Sequence, residues 1–257
     1  MSTENDLANG IAGPTDVEGA ANLLARAKAV VFDVDGTLYR QGPVRLQMAR
    51  RMFAHAAASL DLQMLRVIWE FRRERERLAE ASPEGFMQPL YEATAERVGV
   101  SIERVEEITS TWIEERPLDL LRAARVDGAL ELFAALRANG KRLAVLSDYP
   151  AAKKLAALEL EAEALVSATD PDVDALKPHP RGLQRILDLL GYSASEVVVI
   201  GDRVERDGAV ALALDAPFVI RSSKKASDSS RSSSHGFPIV SDFRGLSVEF
   251  AAAVRRL

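Results

Sequence analysis

The chain has 257 residues, of which 47% are hydrophobic and 28% charged, and its formal net charge is −5. This composition is typical of a globular protein of one or two domains, and the lack of a basic excess argues against a nucleic-acid partner. The absence of cysteine excludes a disulfide framework, a thiolate metal site and a catalytic thiol. No stretch has the roughly 18 to 20 uninterrupted apolar residues of a membrane span, and the chain does not begin like a signal peptide. We therefore expect a cytoplasmic protein with no membrane partner.

The chain begins with a polar segment and a short helix. Residues 1–19 are small and polar and include Gly10, Gly13 and Pro14, which predicts a flexible tail. Residues 20–27 predict a helix that leads into the first strand.

The stretch A-V-V-F-D-V-D-G-T-L-Y-R at residues 29–40 carries the first chemical signal. Its apolar start predicts a central strand buried on both faces. Gly36 allows a tight turn, so Asp33 and Asp35 lie at the carboxyl end of that strand, where open α/β sheets bind ligands. Two carboxylates pointing the same way repel unless a cation neutralises them, and oxygen donors suit Mg²⁺. A D-x-D pair is also common in turns, so the rest of the chain must support the site.

Residues 45–125 follow the helix period and predict an all-helical insert. The charged run at residues 72–77 has two interpretations, an anion site or a solvated helix face with pairs of opposite charge, and the solvated face is favoured. Trp69 and Trp112 are expected in the core of this helical bundle rather than at a ligand site.

From residue 126 onward, strand patterns alternate with helix patterns, which predicts a parallel sheet covered by helices on both faces. The serine-rich residues 222–234 predict a flexible loop. Predicted strands cover residues 142–146, 164–167, 197–200, 217–220 and 237–240, and predicted helices cover residues 129–138, 151–158, 181–190, 209–214 and 246–257.

Three predicted strands end in polar residues: the aspartate pair after the first, Ser147 and Asp202. Lys177 lies in a loop just before a helix. Because parallel strands share one carboxyl edge, we expect these residues to converge although more than a hundred residues separate them.

The motifs resemble those of the haloacid dehalogenase (HAD) superfamily. F-D-V-D-G-T-L is similar to its first motif, Ser147 to the second, L-K-P around Lys177 to the third, and G-D-R-V-E-R-D at residues 201–207 to the fourth. The resemblance covers about residues 28–221. It implies a Rossmann-like α/β core with a parallel sheet and helices on both faces, built from residues 20–44 and 126–257. An all-helical cap, residues 45–125, would be inserted after the first strand, as in relatives of phosphoglycolate phosphatase and β-phosphoglucomutase.

The resemblance also implies catalytic roles. Asp33 would be the nucleophile that forms an aspartyl-phosphate. Asp35 would be the general acid and then the base, with a pKa raised by its crowded surroundings. Ser147 and Lys177 would bind phosphate oxygens.

Mg²⁺ is the implied cofactor. Its ligands would be Asp33, Asp202 and the main-chain carbonyl of Asp35, with Asp207 binding directly or through water. An alternative for Asp207 is a first-turn residue favoured by the helix dipole.

The predicted function is a Mg²⁺-dependent phosphatase that hydrolyses a small organic phosphomonoester, such as phosphoglycolate or a sugar phosphate. Dehalogenases of the superfamily lack the second aspartate, so Asp35 favours phosphate esters. A phosphomutase of the same fold and a catalytically silent binding or regulatory protein are the alternatives. The expected partner is a small phosphorylated metabolite, and the expected assembly is a monomer or homodimer.

Asp148 departs from the motif, because relatives often carry Asn after the Ser or Thr of the second motif. A further carboxylate beside a phosphate would be repulsive. We expect Asp148 to cap the helix that starts near Pro150; the alternative is a contact with a cationic or hydroxyl group of the substrate.

Overall fold

The computed structural model describes residues 16–60, 62–81, 83–222 and 236–256, and a six-stranded parallel sheet lies at its centre. The strands are β1 Ala29–Phe32, β2 Arg142–Ser147, β3 Ala164–Ser167, β4 Val197–Gly201, β5 Phe218–Arg221 and β6 Ile239–Val240. Their order in the sheet is β3-β2-β1-β4-β5-β6. The predicted parallel α/β fold is confirmed. The predicted flexible segments at residues 1–15 and 223–234 lie outside the described residues.

Helices surround this sheet and fill the long connection after β1. They are α1 Val17–Arg26, α2 Gln41–Ser59, α3 Gln63–Ala81, α4 Met87–Val98, α5 Ile102–Thr109, α6 Leu118–Ala124, α7 Ala129–Ala138, α8 Ala152–Ala157, α9 Arg181–Leu190, α10 Ala209–Ala213 and α11 Arg244–Arg255. We call α2–α6, residues 41–124, the helical insert. Its division from the rest as a separate cap domain stays a prediction. Across the described part of the chain, no helix is both long and apolar enough to pass through a membrane.

Both faces of β1 are buried, as its continuous apolar sequence predicts. Val30 and Phe32 face a core shared with α1, α7 and α11, whereas Ala29 and Val31 face a core shared with α9 and α10. β1 pairs with β2 on one side and β4 on the other. Burying a side chain of the size of Val or Phe contributes roughly 1.5–3 kcal/mol, so the strand that carries the first motif is held firmly at the centre of the sheet.

Helix α1 begins three residues before the predicted start of the folded region. The Asp16 side chain accepts a hydrogen bond from the Gly19 N–H at 2.8 Å, which satisfies one of the free N–H groups of the first turn. Residues 17–19 are therefore helical, and the prediction that they belong to a flexible tail is wrong.

Candidate active site

The carboxyl edge of the sheet brings Asp33, Lys177 and Asp207 into direct contact. The Lys177 Nζ donates to Asp33 Oδ1 and to Asp207 Oδ1, both at 2.5 Å, and lies 3.4 Å from the Leu146 carbonyl. All three charged side chains are buried. Burial lowers the pKa of Lys177, but Asp207 and Asp33 raise it more, so the net pKa lies well above its ordinary value and the ammonium is retained.

Asp202, which follows β4, approaches this group over the backbone of Gly36. The φ angle of Gly36 is +104°, and a Cβ at this position would lie 2.0 Å from Asp202 Oδ2. Only glycine combines this conformation with this clearance. The neighbouring Thr37 Oγ1 donates to Asp33 Oδ2 at 2.9 Å and orients that carboxylate. The G-T of the first motif therefore brings two acidic groups together and orients one of them.

Three carboxylates at this edge form a donor set that fits a divalent cation. One oxygen from each of Asp33, Asp202 and Asp207 lies within 4.8 Å of the others. Burial raises the pKa of Asp33 well above its ordinary value although Lys177 opposes the shift, and burial together with Asp207 raises the pKa of Asp202 to about 7. Burial is the largest cause of both shifts, and repulsion between the carboxylates adds to it. Carboxylate oxygens are hard donors that suit Mg²⁺, and the charge of a bound cation would offset theirs.

Asp35 is not part of this donor set, because its carboxylate forms an ion pair with Lys154. Lys154 Nζ lies 2.7 Å from both carboxylate oxygens of Asp35, and the Tyr39 hydroxyl donates to one of them. Burial raises the pKa of Asp35, but Lys154 and the hydrogen bonds lower it more, and the net pKa lies below its ordinary value. The predicted rise in the pKa of Asp35 is wrong, because Lys154 and the hydrogen bonds from Lys154 and Tyr39 outweigh the effect of burial. Its role as acid and base stays a prediction.

Lys154 is a site residue that the sequence interpretation missed. The adjacent Lys153 is exposed, and the pair looks like an ordinary solvated surface in the sequence. Helical phase was the available signal: Ala151, three residues earlier, and Leu158, four residues later, are both buried, and Lys154 lies on the same face.

Ser147 is the last residue of β2 and is fully buried. Its Oγ accepts a hydrogen bond from the Tyr149 N–H at 3.2 Å. It is not among the residues that line the cleft. The proposed contact of Ser147 with phosphate stays a prediction.

Asp148 lines the cleft but does not cap α8, and its alternative contact with a substrate stays a prediction. The N-cap of α8 is Ala151, and that end of the helix has no side-chain cap. Instead, Asp148 Oδ1 accepts a hydrogen bond from the Lys177 N–H at 3.1 Å. The capping prediction is wrong, because the loop after β3 lies closer to this carboxylate than the helix does. Asp148 supports the main chain of the lysine that contacts Asp33.

This geometry predicts different outcomes for two substitutions at Asp148. Asp148→Asn keeps a carbonyl oxygen that can accept the Lys177 N–H and should change stability and turnover little. Asp148→Ala leaves a partly buried N–H unpaired, which should lower the free energy of unfolding by about 1–3 kcal/mol. Urea unfolding of both variants and the parent chain measures the difference, and equal stability of the two variants would contradict this role.

The helical insert closes the open side of the site and leaves a cleft of about 440 Å³. The walls combine the acidic edge of the sheet with Arg45, Met48, Arg72, Trp112 and Glu114 from the insert. A cavity of this size accommodates a small metabolite.

The charged run on α3 is not simply a solvated helix face. Arg72 lines the cleft, and Glu74 and Arg75 are buried. Arg75 lies on the same helical face as the buried Phe71 and Leu78, four residues before and three after it, so its phase already indicated burial. The favoured interpretation of residues 72–77 is corrected: one face of the run belongs to the site.

The two tryptophans of the insert differ in environment. Trp112 is buried and also lines the cleft. Trp69 is 59% exposed and stacks against the guanidinium of Arg73, so its predicted core position is wrong.

The parallel sheet carries acidic residues and a lysine at its carboxyl edge, and a helical insert covers them. This combination is typical of one class of hydrolase. The family model of haloacid dehalogenase-like hydrolases matches residues 27–215, and the chain belongs to this family. The resemblance found in the motifs is confirmed.

Individual proteins of known name are similar to this chain in sequence or in structure. A phosphoglycolate phosphatase of Rhodospirillum rubrum is 28% identical over 212 residues, which cover 76% of this chain and 79% of that protein. The HAD-hydrolase YfnB of Bacillus subtilis is similar in structure, with a TM-score of 0.62 and 15% identity over 88% of this chain and 99% of its own. A 2-haloacid dehalogenase of Pseudomonas syringae has a TM-score of 0.59 and 17% identity, with the same coverage. At these identities the two solved structures show the fold alone.

Proposed function

We propose that the protein is a Mg²⁺-dependent phosphatase of a small organic phosphomonoester. The observation that carries this proposal is the buried arrangement in which Lys177 joins Asp33 to Asp207 while Asp202 completes a set of three carboxylates. Phosphoryl transfer needs a nucleophile, a cation site and positive charge beside the transferred group. The phosphoglycolate phosphatase relative supports the same chemistry.

In this proposal, Asp33 attacks phosphorus and forms an aspartyl-phosphate as the ester P–O bond breaks. Thr37 holds the attacking carboxylate in position through its hydrogen bond to Oδ2. Lys177 offsets the charge of Asp33 and of the phosphate oxygens. Asp35 delivers a proton to the leaving oxygen and then accepts one from the water that releases phosphate. This role requires its ion pair with Lys154 to open, because that pair lowers its pKa.

Asp33, Asp202 and Asp207 would hold Mg²⁺, with the Asp35 main-chain carbonyl as a further ligand. The bound cation would reduce the repulsion between the Asp33 carboxylate and a phosphate dianion.

The cleft walls support a substrate that is itself strongly anionic. Arg45 and Arg72 line the cleft from the insert, both are exposed, and neither forms an ion pair within the described parts of the chain. Unpaired guanidinium groups attract a carboxylate or a second phosphate. We therefore expect esters that carry a second anionic group, such as phosphoglycolate, to be better substrates than esters whose organic part is uncharged.

The test is phosphate release from p-nitrophenyl phosphate and from a panel of phosphorylated metabolites that includes phosphoglycolate, with and without Mg²⁺. We expect chelation by EDTA to reduce turnover by more than about 100-fold, because a catalytic metal supplies several kcal/mol. Added Mg²⁺ should restore turnover, and the melting temperature should fall only slightly on chelation.

Other outcomes of this test favour the alternatives. A chain that moves phosphate between positions of a sugar phosphate without releasing it would be a mutase. A chain that binds these esters without turnover would be a silent binding protein. Turnover that survives chelation would contradict the metal site.

A further inference from the structure

Two side chains hold the main chain of Lys177, one at each of its polar groups. The Lys177 N–H donates to Asp148 Oδ1 at 3.1 Å, and the Lys177 carbonyl accepts a hydrogen bond from Arg206 Nη1 at 2.7 Å. The backbone of this residue is therefore located by contacts outside its own loop. Since Lys177 Nζ lies between Asp33 and Asp207, any shift of that backbone displaces the ammonium from the reacting carboxylate.

Helix α3 of the insert holds both of these supports through two consecutive residues. The first is Arg75, whose guanidinium donates to the Asp148 carbonyl. It lies 3.9 Å from the centroid of the Tyr149 ring and 5.4 Å from that of Phe86. Arg75 is buried, and stacking on two rings fixes its planar group.

The second residue is Glu76, which pairs with Arg206. Glu76 Oε2 accepts a hydrogen bond from Arg206 Nη2 at 2.7 Å, while its Oε1 lies 3.4 Å from the guanidinium of Arg203. The Arg203 N–H in turn donates to Asp207 Oδ2 at 3.1 Å. Glu76 thus contacts both arginines of the loop that carries Asp207.

A further contact joins the insert to the loop that carries Lys177. The Gly85 N–H donates to the Asp174 carbonyl at 2.8 Å, and the Met87 N–H donates to Asp174 Oδ1 at 3.0 Å. The insert therefore contacts the segment that includes Lys177 directly at Asp174, and it reaches Lys177 itself through Asp148 and Arg206.

We propose that Arg75 and Glu76 are positioning residues for Lys177, acting through Asp148 and Arg206. When the insert lies over the cleft, these contacts set the place of the lysine ammonium between Asp33 and Asp207. Turnover then depends on the insert because it positions Lys177 as well as enclosing the substrate. This inference rests on the proposed phosphatase function.

The test is a double-mutant cycle on Glu76 and Arg206, measured as kcat and KM for p-nitrophenyl phosphate at saturating Mg²⁺. The variants are Glu76→Gln, Arg206→Met and the double variant; Arg206→Lys replaces Arg206→Met if the latter does not fold. Glu80→Gln, an exposed glutamate one turn further along α3, is the matched control. Because Glu76 is 59% exposed and its ion pair is partly screened, we expect Glu76→Gln to lower kcat by about three- to tenfold and to change KM by less than about twofold.

A positioning role predicts that the effects do not multiply, since Glu76 acts through Arg206. The double variant should lose no more kcat than the Arg206 variant alone, and Glu80→Gln should match the parent chain. Multiplying losses, an effect confined to KM, or an equal loss in Glu80→Gln would overturn the inference.

If the parent chain hydrolyses no phosphate ester, the proposed function fails and a second measurement decides the inference. Hydrogen exchange of the peptide that contains Lys177 should be faster in Glu76→Gln and Arg75→Gln than in Glu80→Gln. Unchanged exchange in the first two variants would overturn the inference independently of catalysis.

Discussion

Asp33→Asn is expected to keep the fold and to lose at least about 10⁴-fold in phosphatase turnover, because an amide cannot attack phosphorus and removing a nucleophile has effects of this order. The fold should survive because Asn can still contact Thr37 and Lys177, the present partners of the Asp33 oxygens. Removing one carboxylate also relieves repulsion from Asp207 and Asp202, which help to raise the pKa of Asp33. The melting temperature should therefore be unchanged or higher.

The measurement is steady-state phosphate release together with thermal unfolding, with mass spectrometry to confirm that the amide is intact. Asp188→Asn, on the exposed face of α9, is the control and should behave like the parent chain. Substantial steady-state turnover in an intact Asp33→Asn sample would remove Asp33 as the nucleophile.

Lys177→Met is expected to be both inactive and less stable. Lys177 is the buried partner of Asp33 and Asp207, and breaking a buried ion pair by removing one member typically costs about 3–5 kcal/mol. Without the ammonium, the Asp33 carboxylate also loses the positive charge that offsets the phosphate. We expect turnover to fall by at least about 10³-fold, as for other electrostatic groups at reacting centres.

The stability deficit of Lys177→Met should depend on pH with a defined sign. Burial already raises the pKa of Asp33, and removing Lys177 removes the group that lowers it. A carboxyl whose pKa is higher in the folded state destabilises the fold as pH rises through that value. The deficit should therefore be larger at pH 8 than at pH 5, and Mg²⁺ should reduce it.

Urea unfolding at both pH values, with and without Mg²⁺, measures this effect. Lys153→Met is the matched control, because Lys153 is exposed and pairs only at the surface with Glu115. A deficit that is the same at both pH values would show that the loss comes from packing rather than from uncompensated charge.

Much of the fold was predictable because its signals are local. Helix α9 was predicted with the bounds that it has, since an apolar face runs from Leu183 to Leu190 and Gly191, with φ +70°, ends it. Strand β1 was predicted from four consecutive apolar residues. The start of α1 was missed because its cap, Asp16, lies in a segment whose small polar residues resemble a disordered tail.

By itself, the sequence determined the parallel sheet, the helical insert and the group formed by Asp33, Lys177, Asp202 and Asp207. Strand ends of a parallel sheet share one edge, which predicted that Asp33 and Asp202 lie close together. Lys177 lies in a loop and Asp207 beyond the strand, and their roles came from the resemblance to the family's motifs. Only the tertiary structure decided which partners the remaining polar groups meet. Lys154 pairs with Asp35 across 119 residues, and Arg75 reaches the Asp148 carbonyl across 73. Such pairings depend on how α3 and α8 pack over the sheet. Helical phase indicates that Lys154 and Arg75 are buried, but it does not indicate which group each of them meets.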